Sequence, residues 1–202
     1  MTARLVIVRH GNTFEPGEPP RRIGARTDLR LVDSGQQQAA TLAAWFAAQG
    51  YRFDRVLSSP LRRTRETAAA IAGPTSSAEI EASDLLAEID HGMDEDLPEE
   101  QVVARLGADA LKAWDERGLA PQGWTVDRAV RLAGWAALLA EDTKSTTLLV
   151  TSNGAARFAL LADPGLLAQA ARLPSLKLRI AAFGIIDVDR LGPRLVEWDR
   201  RV

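Results

Sequence analysis

Aliphatic runs alternate along this chain with segments whose apolar positions recur every three or four residues. That is the pattern of an α/β protein with a mainly parallel sheet. The first run, Leu5-Val6-Ile7-Val8, places four aliphatic side chains in a row before Gly11 and Asn12, and predicts a short strand buried on both faces. Further strands are predicted at Arg55–Ser58, Thr147–Ser152, Ile180–Val188 and Leu195–Trp198. The β-branched stretch around Thr146 to Val150 marks a central strand. Helices are predicted between them. Gln36–Gln49 carries Leu42, Trp45 and Phe46 at helical spacing and is closed by Gly50. Leu61–Ala72 opens after Pro60 and stops at Gly73-Pro74. Pro98–Arg117, Val126–Ala140 with Thr125 as its cap, and Asn153–Leu161 complete the set.

Phe14–Arg30, with its prolines and charges, and the acidic stretch Asp90–Pro98 read as loops. Nothing repeats, and no Gly/Ser linker divides the chain. The expectation is one domain over residues 1–202, a three-layer α/β/α sandwich with a helical insert at about 90–124.

Composition narrows the chemistry. No cysteine occurs, so disulfides, thiolate catalysis and Cys-based metal sites are excluded, and two histidines are too few for a multi-histidine metal centre. A net charge of −2 gives no long-range attraction to nucleic acid or anionic membrane. No apolar run is long enough for a signal peptide or membrane span, so a cytoplasmic location is expected. Of the 25 basic residues only Lys112, Lys144 and Lys177 are lysine, leaving 22 arginines. A GC-rich coding sequence would produce that bias, but arginine is also the better bidentate ligand for phosphate.

Four segments fall at or just after predicted strand ends, where ligands bind in open α/β sheets. Arg9-His10-Gly11-Asn12-Thr13 follows the first strand; alone, His10 would read as a strand-end histidine donating to a backbone carbonyl. Ser58-Ser59-Pro60 runs into an arginine-rich helix, offering an anion helix N–H groups and guanidinium forks. Leu86-Ala87-Glu88-Ile89-Asp90-His91-Gly92 sets carboxylates near a histidine, and Val150-Thr151-Ser152-Asn153-Gly154 is a strand-to-helix turn with polar donors. Phosphoryl transfer needs such parts: preorganised positive donors, a nucleophile neutral near pH 7, and an acid for the leaving oxygen. Neither the P-loop nor the dinucleotide glycine fingerprint occurs.

Taken together these segments resemble the histidine phosphatase superfamily, which includes the phosphoglycerate mutase-like enzymes. Arg9-His10-Gly11-Asn12-Thr13 is similar to its Arg-His-Gly-x-Thr opening. Gly24 to Asp28, Leu31 and Gly35-Gln36-Gln37-Gln38-Ala39 resemble its next segment, and Ser58-Ser59-Pro60-Leu61-x-Arg63, continuing to Thr67-Ala68, resembles its second arginine motif. The resemblance implies that His10 becomes phosphohistidine, that Arg9, Arg63 and Asn12 hold phosphate, and that Glu88 donates the proton. It implies a small phosphorylated substrate or inorganic phosphate as partner, with neither cofactor nor metal, and leaves oligomeric state open.

The chain departs from the pattern where Ser152-Asn153-Gly154 stands for a typical Ser-His-Gly, so that Asn153 takes a histidine's place in the site. Asparagine donates a hydrogen bond but carries no charge. His91 reads as a solvated loop histidine or a substitute charge, and Trp124 as a core or lid aromatic. Pro16 and Gly123-Trp124-Thr125 replace residues common in the family, which favours a non-standard substrate. Two functions follow: a phosphomonoester phosphatase, slowed by Asn153, or a phosphate-binding or interaction module without turnover.

Overall fold

The computed structural model describes residues 2–141 and 144–202. Six strands form one sheet in the order β3-β2-β4-β1-β5-β6. They are β1 (Ala3–Arg9), β2 (Arg55–Ser58), β3 (Ile80–Ala82), β4 (Thr146–Thr151), β5 (Phe183–Asp189) and β6 (Gly192–Arg200). The first four in spatial order are parallel, and β5 and β6 close one side as an antiparallel pair.

Side chains alternate across β1, so its aliphatic run serves two cores. Val6 and Val8 face Leu42, Phe46, Ala68 and Ile71, which belong to α1 (Asp33–Ala48) and α2 (Arg62–Thr75). Leu5 and Ile7 face the other layer. That layer contains α3 (Glu99–Leu106), α4 (Ala108–Arg117), α5 (Arg128–Leu139), α6 (Asn153–Ala156), α7 (Phe158–Leu161) and α8 (Pro164–Ala170), and contributes Trp114, Trp135 and Phe158. Among the described residues no helix is long and apolar enough to cross a membrane.

Several predicted boundaries move, each for a local reason. The helix expected over Pro98–Arg117 is two, because Gly107 adopts φ +79 between α3 and α4. The one expected over Asn153–Leu161 is interrupted at Arg157. α2 does not stop at Gly73-Pro74 but runs to Thr75. Pro74 sits in the last turn, where it removes only one hydrogen bond, and Thr75 carbonyl then accepts from Phe53 N at 2.9 Å. The cap of α5 is Asp127, which accepts from Val130 N, rather than Thr125, whose N–H bridges to Asp90 carbonyl. β5 begins at Phe183 because Ala181, at φ +53, turns the chain just before it. Edge strand β3 and helix α8 carry no strong periodicity and were not expected.

The topology explains why distant segments meet. β4 lies between β2 and β1, all parallel, with Arg9 opposite Thr151 and Ser58 opposite Val150. Three carboxyl ends therefore stop side by side, and His10, Ser59 and Asn153 emerge along one edge. The backbone continues the alignment for one step, as His10 N donates to Thr151 carbonyl at 3.1 Å and Ser59 N to Val150 carbonyl at 3.1 Å.

Candidate active site

That edge opens into a cavity of about 400 Å³ lined by Arg9, His10, Glu88, His91, Asn153, Gly154 and Arg157, with Arg21, Arg22, Trp114, Asp115 and Lys177 around its outer wall. A larger groove of about 950 Å³ runs between α3–α4 and α8, but its lining is mostly aliphatic and His10 is not in it.

His10 is buried, and its Nδ1 lies 2.8 Å from Gly11 carbonyl oxygen. A carbonyl only accepts, so Nδ1 carries the hydrogen and Nε2 keeps its lone pair. Burial first, then the positive charges of Arg63 and Arg9, push the imidazole pKa well below its ordinary value. His10 is thus held neutral in one tautomer.

Arg9 donates through Nη1 to Leu178 carbonyl at 2.8 Å, while its buried Nε has no protein partner. Burial lowers its pKa to about 10 despite the nearby Glu88 carboxylate. Arg63, in the first turn of α2, is fully buried and lies behind the cavity lining rather than in it. Its fork is tethered to Thr27 carbonyl at 2.6 Å and Gly24 carbonyl at 3.1 Å, leaving Nε unpartnered. The first N–H group of α2 is already taken, because Asp28 Oδ1 accepts from Arg62 N at 2.7 Å. Asn12 is not in the cavity either. Its carboxamide donates to Phe14 carbonyl and Ser34 Oγ and accepts from Thr13 N and Phe14 N, so it braces its own loop.

Glu88 is buried at the cavity's edge. Its Oε1 accepts from Ile89 N and its Oε2 from Gly154 N, both at 2.9 Å. Arg131 of α5 fixes the preceding backbone by donating to Leu85 and Ala87 carbonyls. The charges of Arg9, Arg63, Arg131 and Arg157 all sense this carboxylate. Asn153 accepts from Leu178 N through Oδ1 at 3.0 Å, which turns its NH2 donors toward the cavity.

His91 is not solvated. It is buried, with its ring 4.6 Å from that of Trp124 and Nδ1 3.6 Å from Glu95 Oε2. Trp124 packs edge-on to Trp114 and donates from its indole N–H to Asp94 Oδ2 at 2.6 Å, so it is a core aromatic behind His91 and not a free lid.

Two residues had no sequence signal assigned to them. Glu95 accepts from Gly24 N, Arg26 N, Thr27 Oγ1 and His91 N, tying the 24–27 loop that tethers Arg63 to the His91 turn. Burial works to raise its pKa, but the hydrogen bonds from His91 and Thr27 win and hold it at about 2. Its stabilising contribution is therefore complete above the ordinary value of 4.5 and is lost as pH falls from there toward 2. Glu95→Ala is expected to cost about 2–4 kcal/mol at neutral pH. Thermal melts of variant and parent should converge through that acid window; a gap independent of pH would refute the ionised tie. The second missed residue is Arg157. Its spacing four residues after Asn153 was the available clue, since i and i+4 share a helix face.

The fold and the cavity together describe an α/β protein built around a neutral strand-end histidine and a cluster of buried guanidinium groups. Residues 5–201 match the model of the histidine phosphatase superfamily (branch 1), and the chain belongs to that superfamily. It is 33% identical over 113 residues to phosphoserine phosphatase 1 of Hydrogenobacter thermophilus, 56% of this chain and 51% of that protein. It is 34% identical over 68 residues to a broad-specificity phosphatase of Saccharomyces cerevisiae, 34% of this chain and 29% of that protein. The matched stretches thus span about half or less of these curated relatives. A solved mycobacterial hydrolase shares the fold with a TM-score of 0.79 at 24% identity, over 100% of both chains.

Proposed function

We propose that this protein is a phosphomonoester phosphatase acting through a phosphohistidine intermediate on His10. The neutral imidazole, tethered through Nδ1 with Nε2 free, carries that reading. Nε2 attacks phosphorus while the bond to the leaving oxygen breaks, and that oxygen takes a proton from the Glu88 carboxyl. Water then attacks the phosphohistidine and gives a proton back to Glu88, releasing inorganic phosphate and free His10. Gly11 carbonyl, accepting from Nδ1–H, stabilises the positive charge the ring acquires when Nε2 is phosphorylated. The guanidinium charge of Arg9 in the cavity lining and that of Arg63 behind it stabilise the equatorial oxygens. The phosphatase relatives support the reaction class.

Asn153 acts in this scheme as a neutral donor to the phosphoryl group where the family resemblance calls for a second histidine. Replacing an ionised donor with a neutral one costs roughly 10²–10³ in rate, so turnover should be slow. The same neutral amide favours a second reading, a module that binds phosphate without turnover.

Brief exposure to an aryl phosphate, followed by an alkaline quench and mass spectrometry, should show a phosphate adduct on His10. Asn153→His should raise kcat by about tenfold or more. An adduct with hydrolysis in the parent supports the phosphatase. Activity only in Asn153→His would favour the binding module, and an adduct on another residue would refute His10 as nucleophile.

A further inference from the structure

The groove between α3–α4 and α8 is more than twice the size of the His10 cavity, about 950 Å³ against about 400 Å³, yet nothing in the proposed reaction uses it. Leu111 of α4, Leu167 and Ala170 of α8, and Leu173 and Leu176 of the segment that follows give it aliphatic walls. Its charged side chains are taken up by one another. Lys112 pairs with Glu116, and Lys177 Nζ lies 2.6 Å from Asp115 Oδ2. Ser175 Oγ accepts from Lys177 N at 3.1 Å. A charged ligand would find no free counter-charge here, whereas an aliphatic one would need none. Val103 and Leu167, 40% and 43% exposed, border the groove from α3 and α8 and leave apolar surface that an occupant would cover. The volume is that of a small-molecule pocket and not of a flat protein interface.

Two observations join the groove to the site. Asp115 and Lys177 border both cavities, so their ion pair stands between them. The Lys177 side chain is 49% exposed, and a pair so open to water contributes little and yields readily. The segment 173–177 that walls the groove also runs directly into Leu178, whose carbonyl accepts from Arg9 at 2.8 Å and whose N–H donates to Asn153 Oδ1 at 3.0 Å. Trp198 anchors that segment by donating from its indole N–H to Leu176 carbonyl at 3.2 Å.

We infer that the groove takes the aliphatic chain of an amphiphilic phosphomonoester whose phosphate sits at His10, the chain passing the Asp115–Lys177 pair. This deepens the phosphatase reading and rests on it for the place of the phosphate. The substrate class is then the phosphate ester of a long-chain alcohol, recognised by guanidinium charge at one end and by apolar burial at the other.

The test uses ethyl, butyl, hexyl and octyl phosphate, which differ only in chain length, each kept below its micelle concentration. Calorimetric titration into His10→Ala measures binding without turnover. Affinity should rise about two- to fourfold per methylene once the chain passes the ion pair, so that octyl phosphate binds about tenfold or more tightly than ethyl phosphate. Adding Leu167→Glu should flatten the rise, because a carboxylate in the groove makes burial of the chain unfavourable. Val103→Glu should do the same from the opposite wall. Should one variant fail to fold by circular dichroism, the other decides. Affinity independent of chain length, or variants that weaken ethyl and octyl phosphate alike, would overturn the inference. So would a dimer in sedimentation that these variants dissociate, since the groove would then be a contact between copies. Chain-length preference in binding with no hydrolysis by the unaltered protein would sink the phosphatase reading but not this one. Hydrolysis of every ester with no preference would do the reverse.

Discussion

Alanine at position 10 is expected to lower kcat on an aryl phosphate by about 10⁴-fold or more, while orthophosphate affinity changes by less than about tenfold. The asymmetry follows from what each group does. In the proposed reaction phosphate affinity comes from guanidinium charge, and Arg9 and Arg63 are held by backbone carbonyls that do not involve the imidazole: Leu178 for one, Thr27 and Gly24 for the other. Bond making, in that proposal, falls to Nε2 alone. Added imidazole should restore part of the lost rate, since the deleted ring leaves space of its own shape beside Gly11 carbonyl. A loss of affinity as large as the loss of rate would make His10 a binding residue and end its assignment as nucleophile.

The same substitution exposes a pH signature. Burial and the two arginines keep His10 neutral well below the usual histidine range. The acid limb of kcat/KM should then follow the substrate's second phosphate ionisation, near about 6, and not an imidazole. Only two histidines exist, so the ring-proton resonances of His10 and His91 can be told apart with His10→Ala. The His10 signal should stay at its neutral position as pH falls past 6.5, the ordinary value. Because the unfolded chain does take up that proton, His10 also makes the fold less stable as pH drops below 6.5. Bound phosphate reverses the electrostatics and should raise the His10 pKa.

How much of this was legible beforehand depends on how local the cause was. β1 announced itself because a strand buried on both faces must be aliphatic at every position, and Val6 and Ile7 point into separate cores. The convergence of His10 and Asn153 was legible as an order of strand ends, since parallel strands deliver their carboxyl ends to one edge, whereas Glu88 follows β3, a strand the pattern did not announce. What could not be read was the assignment of particular polar atoms. Asn12 and Arg9 look equally fit to hold an anion, yet the carboxamide is consumed by Phe14 and Ser34 while the guanidinium lines the cavity. His91 stands in an acidic loop that suggests solvent, but Trp124, 33 positions later in the chain, folds over it. Glu95 gathers donors from residues 24 to 27, a contact no sequence spacing encodes. Helix breaks behaved the same way. Gly107 ended a helix that periodicity alone continued, whereas Pro74 failed to end one because its lost bond falls in the last turn.

Gly154→Ala should reduce kcat by about 10²–10³ and leave the protein folded. A Cβ at this position would lie 2.0 Å from Glu88 Oε1 and 2.9 Å from its Cδ. No carboxylate tolerates that, so Glu88 must swing away and surrender the hydrogen bonds from Ile89 N and Gly154 N. What moves is the end of a side chain and not backbone, so the stability cost should stay within about 4 kcal/mol, the worth of two charge-assisted hydrogen bonds. The chemical cost is larger if Glu88 is the acid proposed, because once displaced it no longer reaches the leaving oxygen. The loss should therefore depend on the leaving group. An alkyl phosphate, whose alkoxide needs a proton, should show the full effect, while p-nitrophenyl phosphate, whose phenolate leaves unaided, should lose less than about tenfold. Glu88→Gln keeps the shape and one acceptor but has no proton to give, and should show the same leaving-group dependence. If both esters slow equally in both variants, Glu88 positions the turn at Gly154 and does not donate the proton.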